Sequence, residues 1–230
     1  IGRKKELAEL ERAYQMKGFH IFVVGGPEGS GKTTLVEEFC KDKESIFFTA
    51  SHDNGRANLM RFSIEILAHY KDFEHEPFNF WDTAFKYIRD MQDSISEWNF
   101  YPEKLSTEKN DNKVIVVLDE LAELAKRDSV FIDMFRKCID FTLMESKIFM
   151  IITSCDAKFL QRTILDEGSI LHYRLAGSIM LDKFVLNDDT VAQLKEQAAK
   201  NDKHIDTRKI IKYSADDIII REGEINPEMY

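Results

Sequence analysis

The chain holds 230 residues, 43% of them hydrophobic and 32% charged; this is the apolar content of a folded globular protein and excludes an intrinsically disordered one. Its 32 basic and 41 acidic residues leave a formal charge of −9, a balance that disfavours a broad electrostatic grip on nucleic acid. No apolar run approaches the roughly 18 residues of a membrane-spanning helix, and Cys40, Cys138 and Cys155 are too scattered for a disulfide framework or a metal site, so they read as free thiols in a reducing cytoplasm.

No secretory signal heads the chain, and Ile1 in place of Met reads as a trimmed N-terminus. Residues 3–17 carry Leu7, Leu10 and Tyr14 at helical spacing. The apolar run 19–24 ends in Gly25-Gly26 and predicts a buried strand, followed by a helix over 33–40 and a strand over 45–50. The stretch 51–110 is polar and rich in aromatics, with helical periodicity over 56–70 and 80–95. Residues 103–113 lack periodicity and predict a loop. Residues 114–118 form the most strand-like segment, and a helix beginning near Asp119 is expected to continue through 133–144. A buried strand follows over 147–153, with short strands over 170–175 and 179–184. Beyond that, 188–200 predicts an amphipathic helix and 218–220 opens a strand. Repeated alternation of strand and helix implies an α/β fold, a parallel sheet with helices on both faces.

Gly26-Pro27-Glu28-Gly29-Ser30-Gly31-Lys32-Thr33 fits the phosphate-loop pattern G-x-x-x-x-G-K-[ST] in full, with Thr34 following. Glycines let the main chain wrap closely around a polyphosphate, and the loop's N–H groups then face the anion. The helix beginning near Lys32 adds its positive end. Lys32 is the point charge for the β and γ phosphates of ATP, and Thr33 the hydroxyl for Mg²⁺. An apolar strand before the loop and a helix after it supply the context that an accidental glycine-rich turn lacks.

Asp119-Glu120 follows the strand at 114–118 directly. A carboxylate at the C-terminal tip of a parallel strand faces the crevice where ligands bind. Asp119 is the expected Mg²⁺-holding acid, through water, and Glu120 the general base that polarises the attacking water. The plainer alternative, acids favoured in a helix first turn, loses force beside an intact phosphate loop. The GTPase base-reading motif is not evident, which leans toward ATP.

At these residues the chain resembles P-loop ATPases of the AAA+/STAND-like division, specifically the archaeal-type ATPase domain family. The likeness runs from Gly2 to about Phe184, and its marks include the opening Gly2-Arg3-Lys4-Lys5-Glu6-Leu7 and an apolar strand ending in Ser154. The resemblance implies a three-layer fold with sheet order 5-1-4-3-2. It also implies that Gly2 and Arg3 lie near the adenine and ribose, and that Ser154 senses the γ-phosphate or the attacking water. Arg174 matches the first of two family arginines and would stabilise transition-state charge, in cis or from a neighbouring subunit; the second position is Leu175 here. Catalysis is thus expected of Glu120, Lys32, Ser154 and Arg174. ATP or ADP is the expected ligand, with a homo-oligomer or a partner protein beside it.

The aromatics of 73–101 read either as a stacking surface or as the core of a helical subdomain; acidic neighbours such as Asp72, Glu74 and Asp82 favour the second. The ATPase domain is expected over 1–185, with a helical insert at about 52–110 and a tail over 186–230. Residues 214–230 resemble the first strand and turn of a cyclic-nucleotide-binding domain, as the start of a truncated regulatory unit. Mg²⁺-dependent ATP hydrolysis driving conformational change is the leading function, followed by a slow nucleotide-gated switch and a DNA-associated ATPase.

Overall fold

Short apolar runs become the strands of one sheet in the computed structural model, which describes residues 3–98 and 113–182. In chain order the elements are α1 (Lys4–Tyr14), β1 (His20–Gly25), α2 (Lys32–Cys40), β2 (Ser45–Thr49), α3 (Gly55–Tyr70), α4 (Trp81–Trp98), β3 (Val114–Asp119), α5 (Leu121–Arg127), α6 (Phe131–Cys138), β4 (Ile148–Ser154), α7 (Ala157–Leu160) and β5 (Leu175–Met180). The strands lie in the order β2-β3-β4-β1-β5, and every pairing is parallel. This is the expected 5-1-4-3-2 order seen from the other edge.

Side chains alternate across a strand, and the two faces bury different cores. Ile21, Val23, Val116, Leu118, Met150 and Ile152 face α3 to α6. Phe22, Val24, Ile115, Val117, Phe149 and Ile151 pack with α1 and α2. β3 and β4 are buried along their whole length, which is why they read as unbroken apolar runs.

The aromatics after β2 join the sheet's own core instead of forming a separate one. Phe62 on α3 lies 5.3 Å from Phe48 on β2 and 5.4 Å from Trp81 on α4. Phe131 on α6 stands edge-on to Trp81 at 4.8 Å. Such pairs add about 0.5–1.5 kcal/mol each beyond their buried area. Phe73 and Phe80 remain exposed.

Two expectations need correction. The helix expected to run from Asp119 through 144 is broken at Asp128, which is extended and separates α5 from α6. Its carboxylate accepts from Trp81 Nε1 at 3.3 Å and leaves no room for a side chain at Gly55, so tertiary packing overrides the helical pattern. The predicted strand at 170–175 is a 3-10 turn over Ile170–Arg174, begun by the Ser169 hydroxyl, which accepts from Leu171 N. The last strand therefore starts at Leu175, earlier than the predicted 179. The predicted loop over most of 103–113, the helix at 188–200, the strand at 218–220 and the cyclic-nucleotide-like segment lie outside the described residues.

Candidate phosphate and metal site

β1 delivers the chain into the phosphate loop at the C-terminal edge of the sheet. Gly26, Gly29 and Gly31 all have left-handed φ, at 149°, 75° and 84°. At Gly26 space matters as well: a Cβ there would stand 2.5 Å from the Leu181 carbonyl oxygen, in the chain just after β5. Gly31 begins α2 and provides no side-chain cap, so the first N–H groups of the helix stay open to an anion. Ser30 is buried, and its Oγ has no hydrogen-bond partner among the described residues. Arg3 supports the loop from behind, donating to the Ser30 carbonyl at 3.1 Å while pairing with Glu6 at 3.0 Å. Pro27, Glu28 and Thr34 are exposed.

Lys32 is 5% exposed and its ammonium spans the loop, donating to the carbonyls of Gly26 (3.1 Å) and Pro27 (3.3 Å). It also pairs with Glu120 Oε1 at 3.2 Å. The lysine of the loop and the acid of β3's tip thus hold each other across the place where phosphates would enter.

Asp119 is buried, and burial of a carboxylate is costly unless it is hydrogen-bonded. Three threonine hydroxyls meet it. Thr33 on α2 reaches both carboxylate oxygens at 3.3 Å, Thr49 at the end of β2 reaches Oδ2 at 3.3 Å, and Thr153 on β4 donates to Oδ1. Glu120 takes a left-handed backbone, φ 57° and ψ 48°, which costs a non-glycine residue roughly 1–2 kcal/mol. Its N–H donates to Thr153 Oγ1 at 3.0 Å, and its Oε2 accepts from the Cys155 N–H at 2.9 Å.

The loop residues, Arg3, Asp119, Glu120 and the tip of β4 are therefore brought together. Ser154 is there too, but its hydroxyl accepts from Asp156 N at 3.0 Å and shapes the turn into α7. Arg174 is not there. It precedes Leu175, which pairs with Ile21 at the start of β1, and its guanidinium meets Met144 at the opposite edge of the sheet. A role for Arg174 at the γ-phosphate within one subunit does not fit this place. Gly2 lies outside the described residues. Thr49, Thr153 and the Cys155 amide were not anticipated. Alternation held the signal for Thr153: Val117 pairs with Ile151, so two residues on, Asp119 and Thr153 share the face that carries α2, and Ser154 belongs to the other face.

Mg²⁺ prefers hard oxygen donors and is often held by one or two carboxylates plus phosphate oxygens and water. Thr33 and Asp119 fit that pattern as oxygen donors, and the open amides of α2 suit the phosphate oxygens. Among the described residues no group of three or more His, Cys, Asp or Glu gathers as a metal site. No helix among them is long and apolar enough to cross a membrane.

A family model for an ATPase domain predominantly from Archaea matches residues 1–214. An uncharacterized protein of Methanocaldococcus jannaschii is 19% identical over 181 residues, which cover 79% of this chain and 35% of that protein. The fold is similar to that of a Walker-type ATPase of Pyrococcus abyssi, with TM-score 0.58 and 17% identity over 88% of this chain and 59% of the other. It is also similar to the ORC2 protein of Aeropyrum pernix in its ADPNP–ADP complexes, with TM-score 0.59 and 15% identity over 86% of this chain and 52% of the other. The chain thus spans between a third and three-fifths of the length of these relatives.

Proposed function

The chain belongs to the family of ATPase domains found predominantly in Archaea, and from that premise we propose that it binds ATP with Mg²⁺ and hydrolyses it. The observation that carries this reading is one cluster: Thr33 and Asp119, 86 residues apart in sequence, meet at 3.3 Å beside the Lys32–Glu120 pair. Thr33 and Asp119 would hold the metal, which when bound neutralises charge on the β and γ phosphates. Lys32 exchanges Glu120 for phosphate oxygens. The freed Glu120 carboxylate orients a water and takes its proton as the water oxygen attacks the γ-phosphorus. The bond from that phosphorus to the β–γ bridging oxygen breaks, leaving ADP and phosphate. The adenine nucleotides bound by the Aeropyrum protein support ATP over GTP.

The ATPase domain occupies about 1–185, with 186–230 as an appendage, and turnover drives a change of shape passed to a partner. Arg174 stands at the end of β1 away from the loop, so the role proposed for it is toward the site of a neighbouring subunit. Free Cys40, Cys138 and Cys155 support a reducing, cytoplasmic setting. Phosphate release should be fast in the wild type and lost in Lys32→Ala; wild-type release no faster than that of Glu120→Gln overturns hydrolysis as the function.

The mutual engagement of Lys32 and Glu120 favours one other reading, a switch that holds nucleotide and turns over rarely. Tightly held, slowly exchanging ADP in the purified protein supports it, and rapid multiple turnover excludes it.

A further inference from the structure

The tip of β4 holds both acids through one side chain. Thr153 is fully buried, and its hydroxyl is used in both directions: it donates to Asp119 Oδ1 and accepts the Glu120 N–H at 3.0 Å. The other hydroxyls on Asp119 are differently placed. Thr33 is partly exposed at the start of α2, Thr49 is exposed at the end of edge strand β2, and both contacts are at 3.3 Å. Once Thr33 turns to a metal, Thr153 is the buried hydroxyl that stays on Asp119. The same oxygen anchors the main chain of Glu120 in its left-handed conformation. Two residues on, the Cys155 amide holds the Glu120 carboxylate.

We propose that Thr153 is a positioning residue: its hydroxyl fixes the Asp119 carboxylate and the Glu120 backbone together, and so governs metal-dependent nucleotide binding and water activation without touching the nucleotide. The inference rests on the ATPase reading. It is distinct from phosphate sensing by Ser154, because the Thr153 hydroxyl has no capacity left for a phosphate.

The test compares wild type with Thr153→Val, which keeps the shape and loses the hydroxyl, and Thr153→Ser, which keeps the hydroxyl. Calorimetry measures ATP affinity with Mg²⁺ and with EDTA, and single-turnover hydrolysis is followed alongside. Loss of a partner that orients a metal-holding side chain typically weakens metal binding or activity by about 10–100-fold. Thr153→Val should lose about that much of its Mg²⁺-dependent ATP affinity while its affinity in EDTA stays near the wild-type value. Thr153→Ser should restore most of the loss. Wild-type metal dependence in Thr153→Val overturns the inference, as does an equal loss in Thr153→Ser, which would assign the effect to the methyl group. If Thr153→Val does not fold, Thr153→Ala takes its place with the same expectations. Failure of both to fold beside an intact Thr153→Ser makes the hydroxyl a determinant of stability, and also overturns it. A folded wild type that binds no ATP overturns the ATPase reading and this inference together; a wild type that binds and hydrolyses ATP beside an unimpaired Thr153→Val overturns the inference alone.

Discussion

Two buried lysines stand at opposite ends of the sheet, and they do opposite work. Lys32, 5% exposed, and Lys113, 7% exposed, each donate to two main-chain carbonyls. The carbonyls for Lys113 are those of Tyr14 and Met16, where α1 has just ended, and the Tyr14 hydroxyl returns a bond to the Lys113 carbonyl at 3.2 Å. The rings of Tyr14 and Phe149 flank the ammonium at 5.7 and 5.8 Å. A cation at a helix C-terminus is well placed by the helix dipole, and aromatic faces add to its hold. Lys113 is thereby a clasp between α1 and β3. The carbonyls for Lys32 belong to a glycine loop, and its remaining contact is the carboxylate of Glu120, the general base of the proposed reaction. A buried lysine is thus structural or functional according to what surrounds its ammonium.

The sharpest way to break this contrast is to remove each charge in turn. Lys32→Ala should slow ATP turnover by about 100–1000-fold, the usual cost of losing one electrostatic donor to a transition state, and lower the melting temperature less than the loss of Lys113 does, because Pro27 and Glu120 are open enough for water to replace the ammonium. Phosphate release and thermal melting check the two halves, and a large loss of stability would make Lys32 a clasp as well. Glu120→Gln should lose a comparable factor, about 100-fold or more, as expected for a general base. Its ATP affinity should hold or rise, because the nucleotide no longer competes with a full ion pair for Lys32; weaker binding by calorimetry would contradict the pairing.

Lys113→Met should do the reverse. Leaving buried carbonyls unsatisfied costs about 1–3 kcal/mol, and the melting temperature should fall by roughly 3–10 °C with turnover intact. A slower enzyme of unchanged stability would erase the distinction between the two ends.

The smallest effect concerns the thiols. Burial pushes the Cys40 thiol up to about 11 and that of Cys138 up to about 12, from an unfolded value of 9.0. The folded protein keeps these protons where the unfolded chain releases them. Their contribution to stability is therefore full below about pH 9 and declines as pH rises toward 11 and 12. Iodoacetamide at pH 8 should label Cys155, which is exposed, and spare the other two until the protein is unfolded; equal labelling of all three in native protein would contradict their burial.

Much of this contrast was visible in the sequence, and the rest was hidden for physical reasons. The loop from Gly26 to Thr33 carries its own grammar, since the glycines are needed wherever that backbone occurs. The apolar runs of β1, β3 and β4 stand out because these central strands, buried on both faces, have few polar residues to blur them. Asp128 could not announce itself as a helix break, because what holds it is Trp81 on another helix. Lys113 read as the end of a loop, for its carbonyl partners are 99 and 97 positions away. Thr153 was passed over for Ser154 because the choice between neighbours on a strand depends on which face the adjacent strand turns toward α2.

The backbone at Glu120 sets endurance against chemistry at a single position. Glycine or asparagine would rest there without strain and begin α5 more comfortably, and neither brings a carboxylate. A search for heat-tolerant variants will be drawn to this residue early, and under the proposed mechanism the gain it finds will be a hardier protein that has stopped working.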